Sequence, residues 1–445
     1  MPVRAEFVRA MADVASALLQ GEHPPGQLPE GLCWYPKSTQ RMGDALFFAA
    51  RDGAEEILVA AGSTTPLPEI PGHRVAAEGR QLAFFPRGHD TCAALRTLFP
   101  FTAPSALPRH QPSLGCGDRL GRATPGHLAA LSGRGAGLVL AQQSVRELTL
   151  TRRTYHDVVD AATWYVFREG YQGGFGADGD HLKSLDEVRQ MLNAGATFIT
   201  LDLSLCLGEE SRPGALPAPL TSQAGTHWTA EGVRLTVSHP DLAAFWRVYG
   251  GAFPFIEEAH TLCRSARGVG GYDLEVSVDE TPETTRPVDH LLLAMELRRR
   301  GIVVASIAPR FPGEFQKAVD YAGSLEAFEQ ALVQHAAVAR AFGHKLGVHS
   351  GSDKFTIFPL VGRHAGRWLH LKTAGTSWLE ALRVVASVDP GLFRACWAQA
   401  AAGFARAKRY YHVRCELPDV ADAMDRPDAQ LPGLLNQDAP RQFLH

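Results

Sequence analysis

The nine residues from Gly176 to Ser184, GADGDHLKS, contain Asp178, Asp180, His181 and Lys183. Two carboxylates, an imidazole and an ammonium this close together can move protons and hold a cation, provided the backbone turns them to one point. A solvated loop ending in a helix cap at Ser184 would carry the same residues, so the rest of the chain has to decide. Similar polar clusters recur along the sequence: Asp118 and Arg119; Gln142 and Gln143; Asp202; Glu275, Asp279 and Glu280; Arg310; His349, Ser350, Ser352, Asp353 and Lys354; His370, Lys372 and Thr373. Each cluster follows a short apolar run. His181, Glu275, His349 and His370 together make a set of imidazoles with one carboxylate, which suits a divalent cation such as Zn, Mn, Ni or Co. Taken singly, each of these histidines reads more simply as a lone polar residue at a strand end; convergence of three in one barrel mouth favours the metal. Arg119, Lys183, Arg310, Lys354 and Lys372 would give a positive rim suited to an anionic substrate. Arginine is the better carboxylate clamp, because its fork bonds two oxygens at once. His344 and His364 sit on turns. His127, His290 and His335 fall in helical patterns, where a packing role is favoured.

These residues need elements that bring them together. From about residue 113 the chain alternates apolar runs with helical patterns. Strands are expected to end at Asp118, Ser144, Asp180, Ser204, Glu280, Arg310, Asp353 and Thr376. The helix SLDEVRQMLNAG has Ser184 as N-cap, Glu187 three residues on and Gly195 as terminator. PVDHLLLAMELRRRG, LEAFEQALVQHAAVARAFG and TSWLEALRVVASV repeat the helical pattern. Strands alternating with helices imply parallel pairing, and eight such units close into a (β/α)8 barrel of the TIM type. The barrel is placed over residues 109–416. Strand C-termini in a barrel surround the site, which is where the polar clusters fall. The rival, an open doubly wound sheet, often uses a Gly-rich phosphate turn after a strand. RGVGGYD precedes a strand and lacks that spacing.

Residues 1–108 read as a small α+β region. It holds a hairpin over 45–61, a strand at RQLAFFPR and a helix at HDTCAALRTLFP, closed by the proline-bearing LFPFTAPSALP. Residues 205–238, rich in glycine and proline, read as an insertion or lid after the fourth strand. Residues 417–445 carry few apolar side chains and read as a peripheral tail.

Composition narrows the function class. The 445-residue chain is 45% hydrophobic and 20% charged, with a net charge of -3, so neither nucleic acid nor an anionic membrane is an expected partner. The first residues read as an amphipathic helix, not a signal peptide, and no run approaches the roughly 18 apolar residues of a membrane span. Seven scattered cysteines without a CxxC pair suit reduced thiols in a cytoplasmic protein. Assembly into a homo-oligomer is left open.

GCGDRLGRATPGH, AQQSVREL, FGADGDHLKS, SVDETPETTRPVDHLLLAMELRRRG, IAPRFPGEFQKAVDY, VHSGSDKF and HLKTAGTSWLEALRVVA resemble the tagaturonate epimerase family. The resemblance runs from about Gly115 to His412, with a looser match before it. It implies a metal-dependent isomerase of hexuronate metabolism that interconverts D-tagaturonate and D-fructuronate, with fructose and tagatose as further substrates of some members. The inverted carbon in that reaction is β to both the ketone and the carboxylate, so its carbanion would have no adjacent carbonyl. Transient oxidation would need a nicotinamide, for which the sequence has no binding turn. Retro-aldol cleavage and re-addition needs a Lewis acid and a base on the hydroxyl of that carbon. The Asp180-His181 step is similar to the Asp–His step of metal-dependent aldolases, where the aspartate is the acid/base and the histidine a ligand. His181, Glu275 and His349 are thus expected as ligands, with His370 as a fourth candidate. Asp180 is expected as the base, with Asp178 as its alternative. Asp279 is expected as a second acid/base or orienting group, and Lys183 acts beside them. Arg119, Gln143, Arg310, Lys354 and Lys372 are expected to hold substrate. A metal-dependent aldolase of ketose acids that releases its fragments is the rival enzyme. A non-catalytic sugar-acid sensor is the rival outside enzymes.

Overall fold

The computed structural model describes residues 3–63, 68–77, 80–208, 214–281, 283–420 and 423–445. Packing divides the chain into two units. One comprises residues 1–104, 124–132 and 156–174, and the other comprises 105–123, 133–155 and 175–445.

The first unit is built on an antiparallel sheet of β1 (Leu32–Trp34), β2 (Gln40–Met42), β3 (Ala45–Asp52), β4 (Glu55–Gly62), β5 (His73–Ala77) and β6 (Arg80–Pro86), in the order β1-β3-β4-β6-β5 with β2 on β3. The run ALFFAA of β3 is apolar at every position because both faces of the sheet are covered. Leu46, Phe48 and Ala50 meet Phe7, Met11 and Val14 of the helix Ala5–Gln20. Ala45, Phe47 and Ala49 meet Cys92, Leu95, Trp164 and Phe167 on the other face. Alternation of side chains along a strand produces this division.

The second unit holds a closed barrel. Its strands are β7 (Ser113–Gly115), β8 (Gly137–Ser144), β9 (Phe175–Leu182) and β10 (Phe198–Asp202). After a hairpin of β11 (His227–Ala230) and β12 (Val233–Thr236) come β13 (Asp273–Val278), β14 (Ser306–Pro309), β15 (Lys345–Val348) and β16 (Leu369–Lys372). The eight barrel strands pair in chain order, all parallel, and β16 returns to β7. Helices lie between them in sequence, so the barrel read from the apolar runs is the fold. Ser184 caps Leu185–Ala194 in a capping box with Glu187, and Gly195 ends that helix in the left-handed region. The hairpin and the short helix Ala218–Thr221 occupy part of 205–238; residues 209–213 of that segment lie outside the described residues. The segment from Leu417, expected to be peripheral, contributes Leu431, Leu434, Leu435, Phe443 and Leu444 to a buried cluster with Leu379, Phe393 and Trp397. All seven cysteines are free thiols. Among the described residues no helix is long and apolar enough to cross a membrane.

His290 and His335, expected to pack, join His344 in a fully buried chain. His290 Nδ1 lies 3.0 Å from His335 Nδ1, and His290 Nε2 lies 2.9 Å from His344 Nε2. His335 Nε2 donates to the Thr285 carbonyl at 3.2 Å. That bond sets the direction of the chain: with neutral rings, His335 Nδ1 accepts from His290 Nδ1, and His290 Nε2 accepts from His344 Nε2. Burial pushes His335 down to about 4 and His344 to about 3, and burial with the two neighbouring imidazoles pushes His290 well below its ordinary value. Folded pKa values below the unfolded one near 6.5 mean that the unfolded chain binds more protons in acid. Stability from this cluster is therefore present above about pH 6.5 and lost as pH falls toward 4, at up to about 1.4 kcal/mol per pH unit for each ring. Thermal melts between pH 7 and 4.5 should show this slope, and His344→Gln should flatten it. Equal slopes in the two proteins would refute the account.

Candidate active site

Functional side chains gather at the C-terminal mouth of the barrel around a cavity of about 240 Å³. The segment GADGDHLKS forms most of β9, and the strand runs to Leu182, two residues beyond its expected end. Regular alternation would point Asp180 and His181 to opposite faces. The pairing of β9 with β10 slips between Ile199 and Leu201, and His181 takes φ of 60°. This bulge lets both side chains line the cavity. Neither Gly176 nor Gly179 takes a positive φ. Gly179 instead makes room for the following helix, since a Cβ there would lie 2.6 Å from Met191 Cγ.

His181, Asp279 and His349 offer ligand atoms that all lie within 4.8 Å of one another. His181 Nε2 is 3.5 Å from Asp279 Oδ1, and His349 Nδ1 is 3.3 Å from Asp279 Oδ2. The second nitrogen of each ring is held by a different carboxylate. His181 Nδ1 meets Asp180 Oδ1 at 2.6 Å, and His349 Nε2 meets Glu275 Oε1 at 2.8 Å. Backing of this kind fixes the tautomer and aims the free nitrogen. His349 Nδ1 is buried without a hydrogen-bond partner, facing Asp279 Oδ2 at 3.3 Å. An orphaned imidazole nitrogen facing a carboxylate and a second imidazole fits a divalent cation. A second grouping, His181 with Asp202 and Glu280, shares one of these rings.

Beneath this cluster, the Lys372 ammonium lies 2.9 Å from Asp178, 3.0 Å from Asp180 and 3.0 Å from Glu275, and also meets Thr200. Burial alone would raise Asp180, but Lys372 and His181 outweigh it and hold the carboxyl well below its usual range. Burial raises Asp178 to about 6 against the pull of Lys372. Burial opposes ionisation of Glu275 and Asp279 too. Lys372 and His349 overcome it for Glu275, and His349 and His181 do so for Asp279. Burial would lower His181 and His349, yet Asp180 raises the first and Asp279 with Glu275 raises the second.

Several expected site residues lie elsewhere. Glu275 is fully buried behind His349 and does not line the cavity, whereas Asp279 belongs to the ligand group. His370 sits deeper in the barrel, bonded to Ser113 Oγ at 2.9 Å and stacked on Phe198, with Nε2 4.0 Å from Glu275; burial pushes it down to about 3. Gln143 turns away from the cavity toward the backbone carbonyls of Asp118 and Gln142, and Gln142 faces inward in its place. Arg119 is buried against Glu147 at 2.7 Å and lines a different cavity. Arg310 lines an adjoining cavity of about 310 Å³ and bonds the Thr281 carbonyl. Lys354 never reaches the rim, because its buried ammonium is taken by the carbonyls of Gln316, Val319 and Ser352. Lys183 does line the mouth, paired with Asp202 at 3.1 Å and Glu280 at 3.4 Å. The sequence reading missed Arg146, Lys317 and Tyr411, which also line the cavity. Arg146 and Lys317 stand in the quoted stretches AQQSVREL and IAPRFPGEFQKAVDY, a few residues past the strand ends where it looked.

The profile of the tagaturonate epimerase family matches residues 35–213 and 220–445. The chain is 36% identical over 424 residues to the tagaturonate/fructuronate epimerase of Thermotoga maritima, covering 92% of this chain and 88% of that one. The native crystal structure of the fructuronate-tagaturonate epimerase UxaE from Cohnella laeviribosi superposes with a TM-score of 0.88 at 36% identity, over 99% of this chain and 90% of that one. The same enzyme with one glycerol gives 0.87 over 98% and 89%. Matches along nearly the whole length, on one barrel with one set of polar strand ends, leave a single assignment: the chain is an isomerase of the epimerase type and belongs to the tagaturonate epimerase family.

Proposed function

We propose that the protein interconverts D-tagaturonate and D-fructuronate at the barrel mouth, with a divalent cation held by His181, Asp279 and His349. The observation that carries this reading is the convergence of those ligand atoms, each imidazole being backed by its own carboxylate. A bound Zn, Mn, Ni or Co ion would supply positive charge to the ketone end of the substrate. Asp180 takes the proton from the hydroxyl on the inverting carbon. Its carboxyl is kept ionised, and it lines the cavity, which Asp178 does not. As the proton leaves, the bond between that carbon and its ketone-side neighbour breaks. Its electron pair passes into the ketone fragment as an enediolate, and the hydroxyl carbon becomes an aldehyde. The aldehyde turns its other face, the bond re-forms and Asp180 returns the proton. Atoms and electrons balance without an external oxidant. Glu275 aims His349, and Lys372 keeps Asp180 and Glu275 ionised. Lys183 lies beside Asp202 and Glu280 at the mouth, within the cavity lining, as a charge partner for the substrate's hydroxyls. The same steps apply to fructose and tagatose, which differ at the same carbon.

Proton NMR in D2O on D-fructuronate and on D-fructose, with metal-stripped and with Mn- or Ni-loaded protein, tests the reading. The loaded protein should form the epimer with protium retained at the inverted carbon, and the stripped protein should not. Deuterium at that carbon would rule out cleavage and re-addition. Free three-carbon fragments accumulating in place of the epimer would favour an aldolase.

A further inference from the structure

Four cationic side chains line the cavity, and three of them are already neutralised there. Lys372 is held by Asp178, Asp180 and Glu275, and Lys183 by Asp202 and Glu280. Arg146 pairs with Glu280 at 3.3 Å and lies over the Tyr411 ring. Lys317 differs. Its Nζ donates to Ser350 Oγ at 3.0 Å, and among the described residues no carboxylate lies within ion-pair distance of it. A half-buried ammonium with one hydroxyl partner has two N–H groups left to give to a ligand in the cavity.

The loop around Lys317 is tied down at each neighbouring carbonyl. The Lys354 ammonium takes the carbonyls of Gln316 and Val319, and Arg441 Nε donates to the carbonyl of Ala318 at 2.9 Å. The Gln316 side chain accepts from the Arg414 backbone at 3.0 Å and from Gln442 at 2.8 Å. Ala318 takes φ of 64° and Ser350 φ of 51°, conformations that non-glycine residues hold only when their surroundings impose them. A buried Lys354, a half-buried Arg441 and two strained residues thus present one side chain to the cavity. Ser350 directly follows His349, so the ammonium stands next to the ligand group, on lining shared with the adjoining cavity.

We propose that Lys317 receives the substrate carboxylate and sets the preference for a uronate over a neutral ketose. This rests on the function proposed above. In either ketohexuronate the ketone lies two carbons from the inverting centre on one side, and the carboxylate two carbons away on the other. With the ketone end at His181, Asp279 and His349, the carboxylate needs a cation further along the cavity that is not already paired. After the bond breaks, the aldehyde fragment keeps the carboxylate. Held at Lys317, that fragment stays bound while its aldehyde carbon rotates to offer the opposite face. A neutral ketose has a hydroxymethyl group at this position and forgoes the charged bond.

Calorimetric binding of D-gluconate and of its uncharged counterpart D-glucitol to the full metal-loaded chain tests the assignment without requiring turnover. The wild type should prefer gluconate. Lys317→Met should weaken gluconate by about 30-fold or more and leave glucitol within about threefold, and Lys317→Arg should restore most of the difference. The KM for D-fructuronate should follow the gluconate affinity, with kcat changing less. A wild type that binds both compounds equally, or a Met variant that loses both by the same factor, overturns the proposal. If Lys317→Met does not fold, the wild-type preference and the Arg variant still decide it. Absence of fructuronate turnover in the wild type with the gluconate preference intact would instead sink the proposed reaction.

Discussion

Replacing Asp180 with asparagine should lower the rate of epimerisation by about 10³-fold or more while the metal content stays at the wild-type level. Asparagine keeps a carbonyl oxygen that can accept from His181 Nδ1, so the ring remains aimed. It has no carboxylate to take the hydroxyl proton. Asp180 touches His181 Nδ1 at 2.6 Å and lines the cavity beside the ligand group. Asp178→Asn is the comparison. Asp178 is wholly buried and bonds Lys372 and Thr200, so its loss should act mainly through Lys372 and cost less rate. Metal analysis with single-turnover kinetics on both variants checks this. An Asp180→Asn protein with more than a tenth of wild-type activity would remove Asp180 from the role of base.

Lys372→Met should be the most damaging substitution for stability, by about 3–5 kcal/mol. The ammonium is the shared counter-charge of Asp178, Asp180 and Glu275 in a place almost sealed from solvent. Methionine fills the volume and leaves three carboxylates facing one another in a medium that cannot screen them. They can then remain buried only by taking up protons, so the loss should grow as pH rises. Urea unfolding at pH 6 and pH 8 measures this. Adding Asp178→Asn to the methionine variant should recover part of the loss, since it removes one of the repelling charges. If the single variant is as stable as wild type at both pH values, the charge balance described here is wrong.

The barrel was legible because its signal is local. Eight apolar runs ending in polar clusters, separated by helical periods and punctuated by caps such as Ser184 and Gly195, require no knowledge of distant contacts. The family resemblance added to that reading and agreed with it. The residues at the mouth were legible as a group for the same reason. Their individual partners were not, because pairing depends on which side chains from different strands meet, and that geometry has no local signature.

Lys354 and Lys372 show the difference. Lys372 ends β16 and Lys354 lies six residues beyond β15, and both looked like rim cations. One is spent on backbone carbonyls and the other on three buried carboxylates. Lys317, which keeps its charge for the cavity, lies eight residues beyond β14 and is delivered by a loop whose course only the packing around Lys354 and Arg441 defines. Glu275 and Asp279 changed places likewise, one going behind His349 and the other in front of it.

What the sequence determined by itself is the barrel, the end of it that carries chemistry and the kinds of side chain available there, since periodicity and residue type are properties of short segments. What only the tertiary structure decided is which cations are already neutralised, which imidazole nitrogen is free and how Asp180 and His181 come to face the same way. That last point turns on a left-handed His181 within a slipped strand pair. Such a conformation is unfavourable for a histidine alone, so it exists only because the strands around it hold it in place.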